Sequence, residues 1–209
     1  MGSAPVVTSG NNIQTYSSIS RKLKVLDVGG NDGLVAKKLY PDSELTIVDT
    51  KNGWDVMKSG LPSFKNWDII LANHFIEHIS DIDYFLDECK MVMNPNTILN
   101  IGTPNLTAWF NRILFLFGYV PHSVELSNRY NVGKPFNWNK EELGGHLRIY
   151  TIPSLVQLLK YHGFKILKVT GEYSTYPTNL IISQLDKFIT DININFASAF
   201  RVLCTIQPK

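Results

Sequence analysis

Short apolar runs alternate with amphipathic stretches along most of the chain. Leu23–Gly29 (LKVLDVG) is a nearly unbroken apolar run closed by glycine, the pattern of a short strand buried on both faces. Gly33–Tyr40 (GLVAKKLY) follows with helical spacing, Leu34 and Leu39 on one side, and Pro41 stops it. Glu44–Asp49 (ELTIVD), Asp68–Ala72 (DIILA) and Thr97–Gly102 (TILNIG) repeat the strand pattern. Asp81–Met93 (DIDYFLDECKMVM) reads as a helix halted by Asn94-Pro95. This alternation predicts βαβ units and a parallel sheet.

The rhythm breaks at Thr103. From Asn105 to Gly145 the chain is rich in aromatics, asparagine and glycine, and it resumes at Thr151, a good N-cap, with Pro153 in the first turn of a helix reaching His162. Gly163 is the natural stop, Phe164–Thr170 and Phe196–Ile206 read as late strands, and a short helix is expected near Gln184–Ile189.

A length of 209 residues suits one domain. Residues 1–20 read as a leader or tag, 21–209 as the domain, and 105–145 as an insertion on it. Met1–Asn12 lacks the charged start and apolar run of a secretory signal, so a cytoplasmic location is expected. A formal charge of +2 with scattered lysines and arginines argues against a nucleic-acid partner. Cys89 and Cys204 sit among apolar neighbours without a CxxC spacing, which predicts buried thiols.

Candidate chemistry begins at "VLDVGGNDG", Val25–Gly33. In an open α/β sheet, ligands collect beyond the carboxyl ends of the strands, where Gly29, Gly30 and Gly33 fall. Glycine backbone tolerates positive φ and lets a ligand approach closely; Asn31 also tolerates the left-handed region. A plain tight turn is the competing reading. The dinucleotide spacing G-x-G-x-x-G and the P-loop ending Gly-Lys-Ser/Thr are both missing, which disfavours phosphate ligands and a nicotinamide oxidoreductase. Asp49 ends the second strand, 22 residues after Asp27. A carboxylate there can accept two hydrogen bonds from vicinal ribose hydroxyls.

These pieces resemble the class I S-adenosylmethionine (SAM) dependent methyltransferases. "VLDVGGNDG", "LTIVDT", "WDIILANHFIEHI", "VMNPNTILNIGTPN" and "GHLRIYTIPSLVQLLKYHGF" occur in that family's order across Leu23–Thr170. The resemblance implies an α/β fold with a seven-stranded, mostly parallel sheet, an antiparallel last strand, helices on both faces and an insertion after the fifth strand. It implies SAM as cofactor, with Asp27, Gly29, Gly30, Asn31 and Gly33 at its methionine end, Asp49 on the ribose and Asn73 along it. Asn31 replaces the middle glycine of the family's G-x-G-x-G. Asp49–Asp68 is short for a helix and a strand, so "GWDVMKSGLP" takes that duty; Asp55 becomes the candidate partner of the adenine amino group, and Trp54 either covers the adenine or packs in the core.

His74, Glu77 and His78 form H-x-x-E-H, an inverted zinc-protease signature that on a helix would set both histidines on one face. The family resemblance accounts for "EHI" without zinc, and no metal is assigned. Methyl transfer from a sulfonium calls mainly for alignment, and a hydroxyl acceptor gains from a base near neutral pKa. His146, in "GGHLRIYT", and His78 are the candidate bases. Arg148 either binds an acceptor anion or pairs with a carboxylate. No proline turn follows Asn73, which disfavours amide or adenine nitrogen as acceptor.

"NLTAWFNRILFLFGYVPH" is apolar from Leu106 to Val120 but too short to span a bilayer of about 20 residues. A lid over the acceptor, an interfacial membrane contact through 106–120 and a dimer contact compete, and the lid is preferred because the segment follows a strand facing the acceptor side. Trp109, Phe110, Phe115 and Phe117 would line it. Asn128, Arg129, Tyr130, Asn137 and Trp138 suit a polyhydroxylated acceptor. The resulting expectation is O-methylation of a small-molecule, glycan or lipid-linked acceptor, set against a non-catalytic SAM-fold partner module.

Overall fold

The computed structural model describes residues 21–63, 66–135, 143–173 and 180–207, without the side chains of 180–182. The expected leader, Asn137 and Trp138 lie outside the described residues. Six strands, β1 (Lys24–Val28), β2 (Glu44–Val48), β3 (Ile69–Asn73), β4 (Ile98–Pro104), β5 (Phe164–Glu172) and β6 (Ala199–Ile206), form one sheet in the order β2-β1-β3-β4-β6-β5. β1 through β4 pair in parallel, and β6 runs antiparallel to both β4 and β5. The parallel ladders align the carboxyl ends of β1, β2 and β3 along one edge, where the first glycine loop lies.

The helices are α1 (Leu34–Leu39), α2 (Val56–Ser59), α3 (Ile82–Val92), α4 (Trp109–Leu116), α5 (Ile152–Tyr161) and α6 (Leu180–Ile192). The larger core joins Leu26, Ile70, Leu99 and Val202 of the sheet to Phe85 and Leu86 of α3 and Leu155 and Leu159 of α5. The opposite face carries a smaller cluster, with Val25, Ile69 and Leu71 against Ala36 and Tyr40. Each such side chain withdrawn from water contributes about 1.5–3 kcal/mol, so α3 and α5 fix the sheet's main face. Both cysteines are buried as the sequence predicts, and burial raises both thiol pKa values.

α5 begins as expected: the Thr151 side chain accepts from Ser154 N, Ser154 accepts in return from Thr151 N, and proline occupies the first turn. Two other elements shift. The late helix is longer than expected, and the last strand starts at Ala199 after a 3₁₀ turn at Ile194–Phe196.

The expected seventh strand is not among the described residues. Asp49 instead caps a 3₁₀ turn at Thr50–Asn52, and Asp55 caps the single turn of α2. Too few residues remain before β3 to reach another strand's position. The segment is pinned from beneath: the Glu88 carboxylate of α3 accepts from Leu61 N at 2.8 Å, and a Cβ on Gly60 (φ 67°) would meet that carboxylate at 2.3 Å. Glu88→Ala strands a buried N–H, and the loss is expected to lower unfolding stability by about 1–3 kcal/mol in urea titration.

Candidate active site

The loop after β1 reverses through left-handed backbone at Gly29 (φ 69°), Asn31 (φ 51°) and Gly33 (φ 72°). Gly29 N donates to Val48 O at 2.8 Å, tying the loop to the tip of β2. Asp49 completes that tie: Oδ2 accepts from Asn31 N at 3.0 Å and Oδ1 from Lys51 N at 2.8 Å. Lys51 Nζ donates to Asn31 Oδ1 at 2.9 Å. A carboxylate has about four lone-pair sites, so Asp49 keeps capacity for further donors.

Beneath the loop lies Asp27, 1% exposed. A Cβ at residue 30 would sit 2.0 Å from Asp27 Oδ2, so the chain passes over the acid only because Gly30 has no side chain. That Oδ2 is buried without a hydrogen-bond partner. Burial, and then the charges of Asp49 and Asp32, push the Asp27 carboxyl up to about 6. A buried acid held this way lacks a cation.

The other predicted cofactor residues occupy the same edge with different degrees of engagement. Asp55 Oδ1 accepts from Met57 N at 3.0 Å, and Asp55 pairs with Lys58 at 3.0 Å. Trp54 is no core residue: it is 37% exposed, with Nε1 donating to Gly60 O at 2.9 Å. Asn73 ends β3, and its Oδ1 accepts from Arg201 Nη2 at 2.7 Å.

Residues 74–78 form a turn, not the helix that the zinc-type reading requires. His74 has φ 50°, its N donates to Gly102 O, and its Nδ1 lies 3.1 Å from Glu77 Oε1. Glu77, fully buried, joins three segments. Its Oε2 accepts from Thr103 Oγ1 at 3.1 Å, and its carbonyl accepts from Leu147 N and Arg148 N at 2.7 and 3.2 Å.

That junction brings the two candidate bases together. The rings of His78 and His146 stack at 4.8 Å with 27° between planes. His78 Nδ1 lies 3.2 Å from Gly145 O. His146 Nδ1 lies 3.2 Å from Glu125 Oε1, within ion-pair distance but off the hydrogen-bond axis. Burial and neighbouring His78 lower the His146 pKa, against the opposing charges of Glu125 and Glu77. Ligand atoms of Glu77, His78 and His146 all fall within 4.8 Å of one another, so the potential metal-ligand trio differs from the one the motif suggests.

Glu125 escaped the sequence reading because it lies in the aromatic insertion. Its carboxylate also accepts from Gly144 N and Gly145 N at 2.7 and 3.0 Å, holding the glycines that precede His146. The buried Lys134 ammonium fixes the loop leading to it, donating to the carbonyls of Pro121, His122 and Val124. Arg148 is used structurally, donating to Ile79 O and Ser80 O at 2.7 Å each.

Of the expected lid residues, Trp109 is half-buried, with Nε1 donating to Asp186 Oδ1 at 2.8 Å. Phe115 and Phe117 are exposed, as are Asn128, Arg129 and Tyr130 on the neighbouring loop. No described helix is long and apolar enough to cross a membrane.

The chain is similar to known proteins. A family model described as "Methyltransferase domain" matches residues 11–169. The ubiquinone biosynthesis O-methyltransferase of Rhodopseudomonas palustris (strain TIE-1) is 33% identical over 72 residues, covering 34% of this chain and 27% of the relative. The chain therefore spans well under two thirds of that relative's length. The fold is shared with a SAM-dependent methyltransferase of Mesorhizobium loti (TM-score 0.56, 12% identity, 88% of this chain and 91% of that one). It is also shared with the 1,6-didemethyltoxoflavin-N1-methyltransferase of Burkholderia thailandensis, solved with bound 1,6-didemethyltoxoflavin and S-adenosylhomocysteine (TM-score 0.52, 14% identity, 92% and 75%). Glycine cradle, strand-tip carboxylates and the family match over most of the chain agree: it belongs to the class I SAM-dependent methyltransferases.

Proposed function

We propose that the protein transfers a methyl group from SAM to an oxygen of a small-molecule acceptor, with His146 as the base. The observation that carries the reading is the stacked His78–His146 pair at the cofactor edge, with Glu125 at 3.2 Å from His146. The cradle fits the cofactor. Asp27 has an unpaired buried oxygen, and SAM carries an ammonium and a sulfonium whose positive charge would relieve the crowding of Asp27, Asp49 and Asp32. Asp49, with lone pairs to spare, would hold the ribose, and Gly29–Gly33 would admit the methionine end without a Cβ in the way. Asp55 and Trp54 would flank the adenine.

When bound, the cofactor supplies a methyl group already activated by the sulfonium. The chain's part is to align the acceptor, exclude water and accept a proton. A lowered pKa keeps His146 neutral below the ordinary imidazole range, so it can take the acceptor's hydroxyl proton at neutral pH. Glu125, near Nδ1, leaves Nε2 for that proton and stabilises the imidazolium that results. The O-methyltransferase name of the curated relatives supports oxygen as the acceptor atom. Exposed Leu116 and Phe117 at the end of α4 support an acceptor with an apolar portion, met by the insertion acting as a lid.

Three outcomes are expected. His146→Ala should lower kcat about 10²–10⁴-fold on a hydroxylated acceptor while leaving the Kd for S-adenosylhomocysteine unchanged. Because Glu125 raises the His146 pKa, Glu125→Gln should move the acid limb of the pH–rate profile to lower pH. A His146→Ala enzyme of wild-type kcat would remove the base assignment.

The third concerns Asp27. Its folded pKa lies above the unfolded value of 3.8, so its contribution to stability is full below that value and lost as pH rises through about 6. The shift amounts to about 3 kcal/mol of destabilisation at neutral pH. Asp27→Asn should therefore raise the cofactor-free Tm at pH 7.5, with the gap narrowing toward pH 4, while weakening SAM binding in calorimetry.

A further inference from the structure

Arg201 lies on β6, separated from β3 by β4, and its side chain is 11% exposed. Its guanidinium donates to three acceptors: Nε to Glu172 Oε1 at 2.6 Å, Nη1 to Asn100 Oδ1 at 2.8 Å and Nη2 to Asn73 Oδ1 at 2.7 Å. The register explains the reach. Arg201 pairs with Gly102 of β4, and Gly102 pairs with Asn73 of β3. A Cβ on residue 102 would lie 2.5 Å from Asn73 Oδ1 and 3.1 Å from Arg201 Nη2. The missing side chain at Gly102 is the gap through which the guanidinium crosses a whole strand.

A guanidinium has donors only. The branch of each asparagine that faces Arg201 must therefore be the amide oxygen, which forces Nδ2 onto the other branch. In Asn100 that nitrogen is satisfied, donating to Tyr40 OH at 2.7 Å, and the residue is buried. Asn73 Nδ2 has no partner among the described residues, and Asn73 is half-buried at the strand tip. Extending the Asp27–Leu71 pairing by two residues sets Gly29 level with Asn73. An oriented, unused pair of N–H donors thus stands beside the glycine cradle.

We propose that Arg201 is a positioning residue for the cofactor: by fixing the Asn73 amide, it turns an Nδ2 hydrogen toward the carboxylate of the cofactor's amino-acid end. Arg201 touches no cofactor atom itself. The proposal rests on the SAM reading, and wild-type binding of S-adenosylhomocysteine is the control for that reading.

The discriminating variant is Asn73→Asp, which keeps an oxygen for Arg201 but removes both donors and adds a negative charge. Calorimetry should show the affinity for S-adenosylhomocysteine reduced about tenfold or more, with Tm at or above wild type. The affinity for 5′-methylthioadenosine, which lacks the amino-acid end, should be unchanged. Arg201→Met should weaken the first ligand and spare the second, with no additional loss when combined with Asn73→Asp. Unchanged or tighter S-adenosylhomocysteine binding by Asn73→Asp, or equal losses for both ligands, would overturn the proposal while leaving the cofactor reading intact. Failure of the wild type to bind S-adenosylhomocysteine would overturn both.

Discussion

Asp27 and Gly30 compete for one volume, and the rest of the glycine-loop edge follows from how that competition is resolved. The acid ends up buried under the loop because the residue above it has no side chain. Burial then raises its pKa, with Asp49 and Asp32 close enough to raise it further. An arrangement that gathers negative charge where water is scarce lowers the stability of the empty protein. It is sustained by hydrogen bonds that do not depend on a ligand: Asp49 accepts from two backbone N–H groups, and Gly29 is tied to β2. Backbone hydrogen bonds thus hold the edge while its carboxylates stay crowded, and a cationic ligand would relieve that crowding.

That edge was legible in the sequence because its chemistry is local. Strand, glycines and acid fall within "VLDVGGNDG", and backbone that must turn sharply at a strand tip leaves its mark on consecutive residues. Asp49 was legible for a related reason: parallel neighbours of similar length bring their ends level. The expected seventh strand had a different source and is not among the described residues. Family order implied it, whereas the residues after Asp49 are consumed by two capped turns and a glycine turn pinned to Glu88.

Contacts made by long side chains across the sequence were not legible. Arg201 reaches Asn73 over 128 positions, Lys134 clamps carbonyls in its own loop, and Glu125 meets glycines 19 and 20 residues on. Each is an ordinary charged residue by local pattern, and only the fold reveals that its charge is spent on fixed acceptors. Arg148, expected to bind an acceptor anion or pair with a carboxylate, donates from its guanidinium to the carbonyls of Ile79 and Ser80.

The same contacts explain how the insertion and His146 behave as one unit. Lys134 sets the loop from Pro121 to Val124, and Glu125 follows directly, holding the two glycines before His146. On the far side, the Glu77 carbonyl receives Leu147 and Arg148, and its carboxylate bridges His74 and Thr103. His146 is therefore clamped between a link to the insertion and a link to the tips of β3 and β4. A ring held from both sides spends little entropy in adopting one orientation, and burial lowers its affinity for a proton in the same stroke. Position and protonation state come from the same packing, so a change in the insertion that freed Glu125 would disturb both at once.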